Sequence, residues 1–162
     1  MRATDAIVRT LHSTQMLVQM FLGDLSDADI LVRPVEGANH IAWQLGHLIS
    51  SEVGIGSSTM PGIVYPELPA GFKEQHDNKN AASDTGFSTK AVYLDLLGKV
   101  RAASIAGVEK VTDAELVIPT EGPMKDFAPN RLAMILVIAE HTLMHAGQFS
   151  VVRRRLGKPI VF

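Results

Sequence analysis

Apolar positions recur at helical spacing in four separate stretches of the chain, and no stretch shows the sustained two-residue alternation of a sheet. The first covers residues 4–22, where Ile7, Leu11, Val18 and Phe21 fall close to one face and Gly23 signals the end. The second follows Gly37, takes Asn39 as its N-cap and runs through "HIAWQLGHLISSEVG" to about residue 54, with Ile41, Leu45 and Leu48 as its stripe. The third runs over residues 88–108 with Val92, Leu96 and Val100 at helical spacing. The fourth opens with Pro129, tolerated at a first helical position because its missing N–H would have no intrahelical partner, and closes at Gly157 behind three arginines. "GIVYP" around Val64 is the one piece with extended character. The pattern predicts an all-α protein, one four-helix bundle domain over residues 1–162.

Between the second and third helices lie residues 57–87, with three prolines and three glycines, too long for a tight antiparallel turn. This segment is expected to be a crossover spanning the end or side of the bundle. Whether it is a solvated connection or a lid over a site is left open by its composition.

The fourth helix carries "EHTLMHAGQ" inside its most hydrophobic run. His141 and His145 stand roughly 40° apart around the axis and about 6 Å apart along it. They fall on a seam of Met134, Ile138, His141, His145, Gln148 and Val152, whose steps of four and three describe the inward side of a bundle helix. A buried neutral imidazole must pair a donor and an acceptor nitrogen. A divalent metal ion, zinc or nickel by ligand type, satisfies two at once, while a hydrogen-bonded core pair without metal is the alternative. A third ligand is needed, and His47, on the edge of the second helix's stripe, is the best placed; three histidines would leave a fourth position open. Gln148 and Gln44 are candidates to orient a ligand ring or a bound water, or to tie neighbouring helices together.

Other patterns drop out. Thr142 stands where a zinc protease motif needs a glutamate, and no Glu-x-x-His of a di-iron bundle occurs. His40 is about 10 Å from His47 along the helix, out of reach of a shared ion and expected near the surface. His12 can line the bundle and His76 can reach the site from the long segment, though each is better read as structural. Glu52 and Glu140 point away from the histidines on ideal helices. Trp43 is expected in the core or at a dimer face, and Arg153 to Arg155 at the helix C-terminal dipole and in solvent.

Composition narrows the partners. With 46% hydrophobic residues in 162, the chain can bury a core of its own, and a net charge of −2 with scattered cations provides no footprint for nucleic acid. No cysteine is present, so any thiol chemistry must use a thiol from outside. The start "MRATDAIVRT" lacks a signal core, and no uninterrupted apolar stretch reaches membrane-spanning length, which leads to the expectation of a soluble cytoplasmic protein without membrane partners.

Three segments, "GANHIAWQLGHLISSE", "EHTLMHAGQFSVVRRRLGKP" and "LSDADILVRP", resemble the DinB/YfiT-like superfamily of metal-binding four-helix bundles, and "VTDAELVIPTEG" resembles the connection before that family's last helix. The resemblance covers nearly the whole chain and implies that His47, His141 and His145 form a metal triad whose open position faces a cleft partly covered by loops. Similar bundles include bacillithiol S-transferases, the metal-binding part of mycothiol-dependent maleylpyruvate isomerase and a domain of ergothioneine-forming sulfoxide synthases. The function expected on that basis is a metal-dependent transferase using a low-molecular-weight thiol. A metal-dependent hydrolase and a non-catalytic metal-containing bundle that binds a small ligand or partner are the alternatives. Family resemblance, seven methionines and the apolar end "GKPIVF" also suggest a homodimer.

Overall fold

The computed structural model describes residues 2–161; Met1 and Phe162, the last residue of "GKPIVF", lie outside the described residues. Four long helices carry the fold: α1 (Ala3–Leu22), α2 (Ile41–Thr59), α3 (Lys90–Val108) and α4 (Arg131–Arg155). Short helical turns at Asp29–Leu31, Phe72–Gln75, Asn78–Asn80 and Asp113–Leu116 punctuate the connections. Among the described residues no strand forms; "GIVYP" is irregular, and one isolated bridge joins Pro119 to Asn130.

Local chemistry sets the ends. Thr89 and Asn130 accept the backbone N–H groups of Val92 and Ala133 and so cap α3 and α4. Pro129 lies ahead of that cap and not inside the helix. The cap of α2 is His40, whose Nδ1 accepts from the Trp43 N–H, and not Asn39; the helix then continues to Thr59. His40 is therefore fully buried, contrary to the surface position expected, and its Nε2 meets the Ser83 carbonyl at 3.1 Å. At the far end of α4, Lys158 and Gly157 donate to the carbonyls of Arg153 and Arg154, with Gly157 at φ 67°, the left-handed ending that glycine permits.

α1 packs against α3 and α4, and α2 packs against the same two helices, so α1 and α2 occupy diagonal corners. Cross-helix partners fix the directions. Glu52 faces Arg101 and Met60 lies beside Gly107, so α2 and α3 run parallel. Gln44 meets His145, and His47 meets both His141 and His145, so α2 and α4 run antiparallel. Parallel neighbours force the chain to travel back along the bundle for about 28 Å, the length of a 19-residue helix, before α3 can begin. Residues 60–89 make that return as a packed strap along its side. Phe72 and His76 of the strap are buried, and Tyr65 donates to Ser104 of α3 at 2.9 Å. Glycines make room for it: a Cβ at Gly46 would overlap the His76 ring, and one at Gly56 would overlap the Tyr65 hydroxyl.

The core falls into two apolar halves. One gathers Val18, Leu22, Leu45, Ile49, Leu97 and Phe149, the other Ile7, Leu11, Met60, Val108, Ile135 and Ile138. Val92, assigned to the α3 stripe by its spacing, is exposed, and Tyr93, Leu97 and Val100 take the inward side. Between the halves lies a polar layer. Arg101, fully buried, donates to both carboxylate oxygens of Glu52 at 2.8 and 2.9 Å, to Thr14 Oγ at 2.8 Å, to the Leu11 carbonyl at 2.6 Å and to Thr142 Oγ at 3.0 Å. Ser104 donates to Glu52 at 2.7 Å. One guanidinium on α3 thus bonds to each of the other three helices and ties the four together.

α4 is long and apolar enough on average to pass for a membrane span, though Glu140, His141 and His145 interrupt its apolar run. Its apolar side is the bundle core: Ile135, Ile138, Ala139, Phe149 and Val152 are all buried.

Removing one partner of the buried pair leaves an uncompensated charge, so Arg101→Met should cost about 3–5 kcal/mol in urea denaturation. The double variant Glu52→Leu/Arg101→Met should recover most of that loss. A single-variant cost below about 1 kcal/mol would show that the pair does not hold the layer.

Candidate metal centre

The inward side of α4 is rotated by one residue from the seam expected. Buried positions are Ile135, Ile138, Ala139, Thr142, His145, Ala146, Phe149, Val152 and Arg153, because the helix must face both α1 and α2. His145 sits in the middle of that side and is 5% exposed, whereas His141 lies at its α2 edge and is half-buried. Gln148 falls on the exposed side, and among the described residues it makes no hydrogen bond to the histidines. It is not the ring-orienting group expected.

His47, in the second turn of α2, comes from the opposite wall. One ring nitrogen from each of His47, His141 and His145 lies within 4.8 Å of the others. The His141 and His145 Nε2 atoms are 3.0 Å apart. Two adjacent ligands at about 2.1 Å from a common ion would be roughly 3.0–3.4 Å apart. The pair's spacing therefore fits a shared metal ion, with His47 positioned to add a third nitrogen.

The rings are oriented from behind. Gln44, buried in α2, donates through Nε2 to the Asn39 carbonyl at 2.8 Å, which turns its Oε1 towards His145 Nδ1, also at 2.8 Å. His145 then donates from Nδ1 and keeps its Nε2 lone pair for the centre. Gln44 was expected near His47; it serves His145. His47 Nδ1 points at the His76 carbonyl at 3.4 Å, and its ring stacks on Trp43 with centroids 4.8 Å apart and planes 10° from parallel. A hydrogen bond between His141 and His145 occupies their two Nε2 atoms in the absence of an ion. It provides nothing for His47 Nε2, for which no partner is found among the described residues.

Burial pushes His145 down to about 3 and His141 down to about 4, with the neighbouring histidines' charge adding to the effect, so both are neutral near pH 7 as metal ligands must be. The remaining histidines have other duties. His76 donates from Nδ1 to the Phe72 carbonyl at 2.7 Å, accepts at Nε2 from the Tyr93 hydroxyl at 2.8 Å, and contributes only its carbonyl to the site. His12 is exposed. Glu52, paired with Arg101, is no ligand. Of the arginine run, Arg154 and Arg155 are exposed, but Arg153 is buried and bonds Asp24 and the carbonyls of Phe21 and Pro159, closing the end of the bundle. The strap's carbonyl and the Trp43 stack carry no sequence motif; the only trace of the strap's close approach is the glycine pair, Gly46 and Gly56, inside α2.

An open cleft of about 340 Å³ runs between α2 and α4 beside His141, with Ser51 and Ile55 on one wall, Val137, Glu140 and Met144 on the other, and Phe127 over it.

The family model described as the DinB superfamily matches residues 10–149. A conserved protein from Enterococcus faecalis has a similar structure, with a TM-score of 0.70 and 17% sequence identity over 98% of this chain and 99% of that one. That likeness concerns the fold. Among curated proteins no sequence matches.

The depressed histidines tie stability to pH in the metal-free protein. Below about 6.5 the unfolded chain takes up protons that folded His141 and His145 refuse until about pH 4 and 3. Stability is therefore full above that range and falls as pH drops from about 6.5 towards 4. Denaturant titrations of metal-free protein at stepped pH should show this decline, and His141→Gln/His145→Gln should flatten it. Part of the slope should remain, because burial also lowers His40 and His76. An identical slope in the double variant would contradict the assignment.

Proposed function

We propose, for a chain that belongs to the DinB superfamily, that His47, His141 and His145 hold one divalent metal ion, zinc or nickel, and that the protein is a metal-dependent enzyme joining a low-molecular-weight thiol to an electrophile. The observation that carries this reading is the convergence of three histidine ring nitrogens, two of them oriented by carbonyl oxygens, beside a cleft that His141 lines. A bound ion of this kind supplies Lewis acidity that lowers the pKa of a thiol or a water molecule.

The chain's own residues do the rest. Gln44 keeps the proton of His145 on Nδ1, and the His76 carbonyl does the same for His47. Trp43 blocks the face of His47 and keeps water from the back of the site. No cysteine competes for the ion or the electrophile, so the nucleophilic sulfur comes from solution.

We further propose a two-fold homodimer on the α1/α4 face, where Met16, Met20, Leu143 and Val151 are 57, 44, 46 and 47% exposed on two adjacent helices.

Replacing His47, His141 or His145 with Ala should abolish stoichiometric metal, whereas His40→Ala, where it folds, should retain about one ion per chain. Gln44→Leu should weaken metal binding by about 10–100-fold. The loaded protein, given a panel of thiols with a chromogenic electrophile beside an ester panel, should consume the electrophile only with thiol present. Turnover of esters alone would replace the transferase with a hydrolase, and turnover of neither would leave a metal-containing binding protein. For assembly, sedimentation at high micromolar concentration should give a dimer that Met16→Glu/Leu143→Lys converts to monomer; a monomeric parent protein would contradict the dimer.

A further inference from the structure

The cleft beside His141 has a chemistry of its own. Its volume of about 340 Å³ is at the small end of ligand sites, room for one or two rings. The walls are apolar: Ile55 from α2, Val137 and Met144 from α4, and Phe127 from the segment leading into α4. Phe127 and Met144 are 70% and 56% exposed, which leaves large apolar surface in water on both sides of a concave space. Neither side chain fills the core, so covering them with an apolar guest gains what the fold does not.

Three polar residues, Ser51, Glu140 and His141, share the lining. Ser51 stands one turn along α2 from His47, and Glu140 immediately precedes His141. No lysine or arginine lines the cleft; its only acidic residue is the exposed Glu140. A negative charge beside a partly apolar site disfavours an anion, and among the cleft's own side chains nothing would compensate a buried carboxylate or phosphate.

We propose that this cleft binds a small, uncharged, largely apolar molecule of one or two rings, with its polar end towards Ser51 and the histidines. Its role as the electrophile's pocket rests on the metal-enzyme reading above; its occupancy and charge preference do not. Glu140 acts here as a specificity-determining residue that rejects anionic analogues.

The test uses the full-length protein, metal-free and metal-loaded, titrated with 2-naphthalenemethanol and with its anionic counterpart 2-naphthoate while the methyl NMR signals of Ile55, Val137 and Met144 are followed. The alcohol should shift these methyls in both forms of the protein and, in the metal-free form, bind at least about tenfold more tightly than the carboxylate. Glu140→Gln should narrow that difference and Phe127→Ala should weaken the alcohol; both positions are exposed, and circular dichroism checks that the variants fold. Equal affinity for the two probes in the metal-free protein, an unchanged preference there in Glu140→Gln, or shifts that avoid these methyls would overturn the proposal. So would methyls that respond to protein concentration and not to the alcohol, since a second copy of the chain would then occupy the cleft. Binding in the metal-free protein separates this outcome from any failure of the triad to hold an ion.

Discussion

Two imidazoles placed one turn apart on the inward side of a long apolar helix cannot be buried without partners, and most of the architecture around α4 supplies them. His145 is answered by Gln44, which is itself pinned by the Asn39 carbonyl at the start of α2. The same opening turns of α2 bring His47 across to face the pair. In His145 and His47 the two ring nitrogens thereby receive defined roles: the outer one donates to oxygen, the inner one presents a lone pair. An arrangement of this sort is a weak way to build a hydrophobic core and an effective way to hold a cation.

Topology explains how so small a protein keeps these groups in register. Because α2 and α3 run parallel, the connection between them must retrace the bundle, and it does so pressed into α2 at Gly46 and Gly56. The return path brings the His76 carbonyl to His47, so the strap is neither a free linker nor a mobile cover; it forms the back wall of the centre. One layer away, Arg101 links all four helices through Glu52, Thr14, Thr142 and the Leu11 carbonyl. Thr142 lies next to His141 in the chain, which ties the position of the histidine pair to that ionic lock. A desolvated ion pair adds little net stability, but it penalises any slip that would separate its partners.

The four helices were legible because their apolar spacing and glycine stops agree with one another, as at Gly23 and Gly157, although the starts read at Asn39 and Pro129 each fall one residue ahead of the true caps, His40 and Asn130. The three histidines were legible because imidazoles on an apolar stripe stand out. What misled was the assumption of a single seam. On α4, Gln148 was placed inward although the helix divides its buried side between two neighbours, which shifts the stripe by one residue. His40 read as a surface residue because its distance from His47 excluded a shared ion, yet as the N-cap of α2 it is buried under the strap by Ser83 and Phe87. Glu52 and Arg101 are far apart in sequence, and only the parallel packing of α2 and α3 makes them partners. Likewise the His76 carbonyl is a backbone group whose role depends on where a long irregular segment returns.

The proposed metal centre is tested most directly by X-ray absorption at the metal edge of protein reconstituted with one equivalent of zinc or nickel. The expected spectrum has three imidazole nitrogens at about 2.0–2.1 Å, with the outer-ring scattering of histidine, and at least one further light atom at an exchangeable position. A first shell without imidazole scattering, or one unchanged when His141 is replaced, would contradict a three-histidine site with an open position.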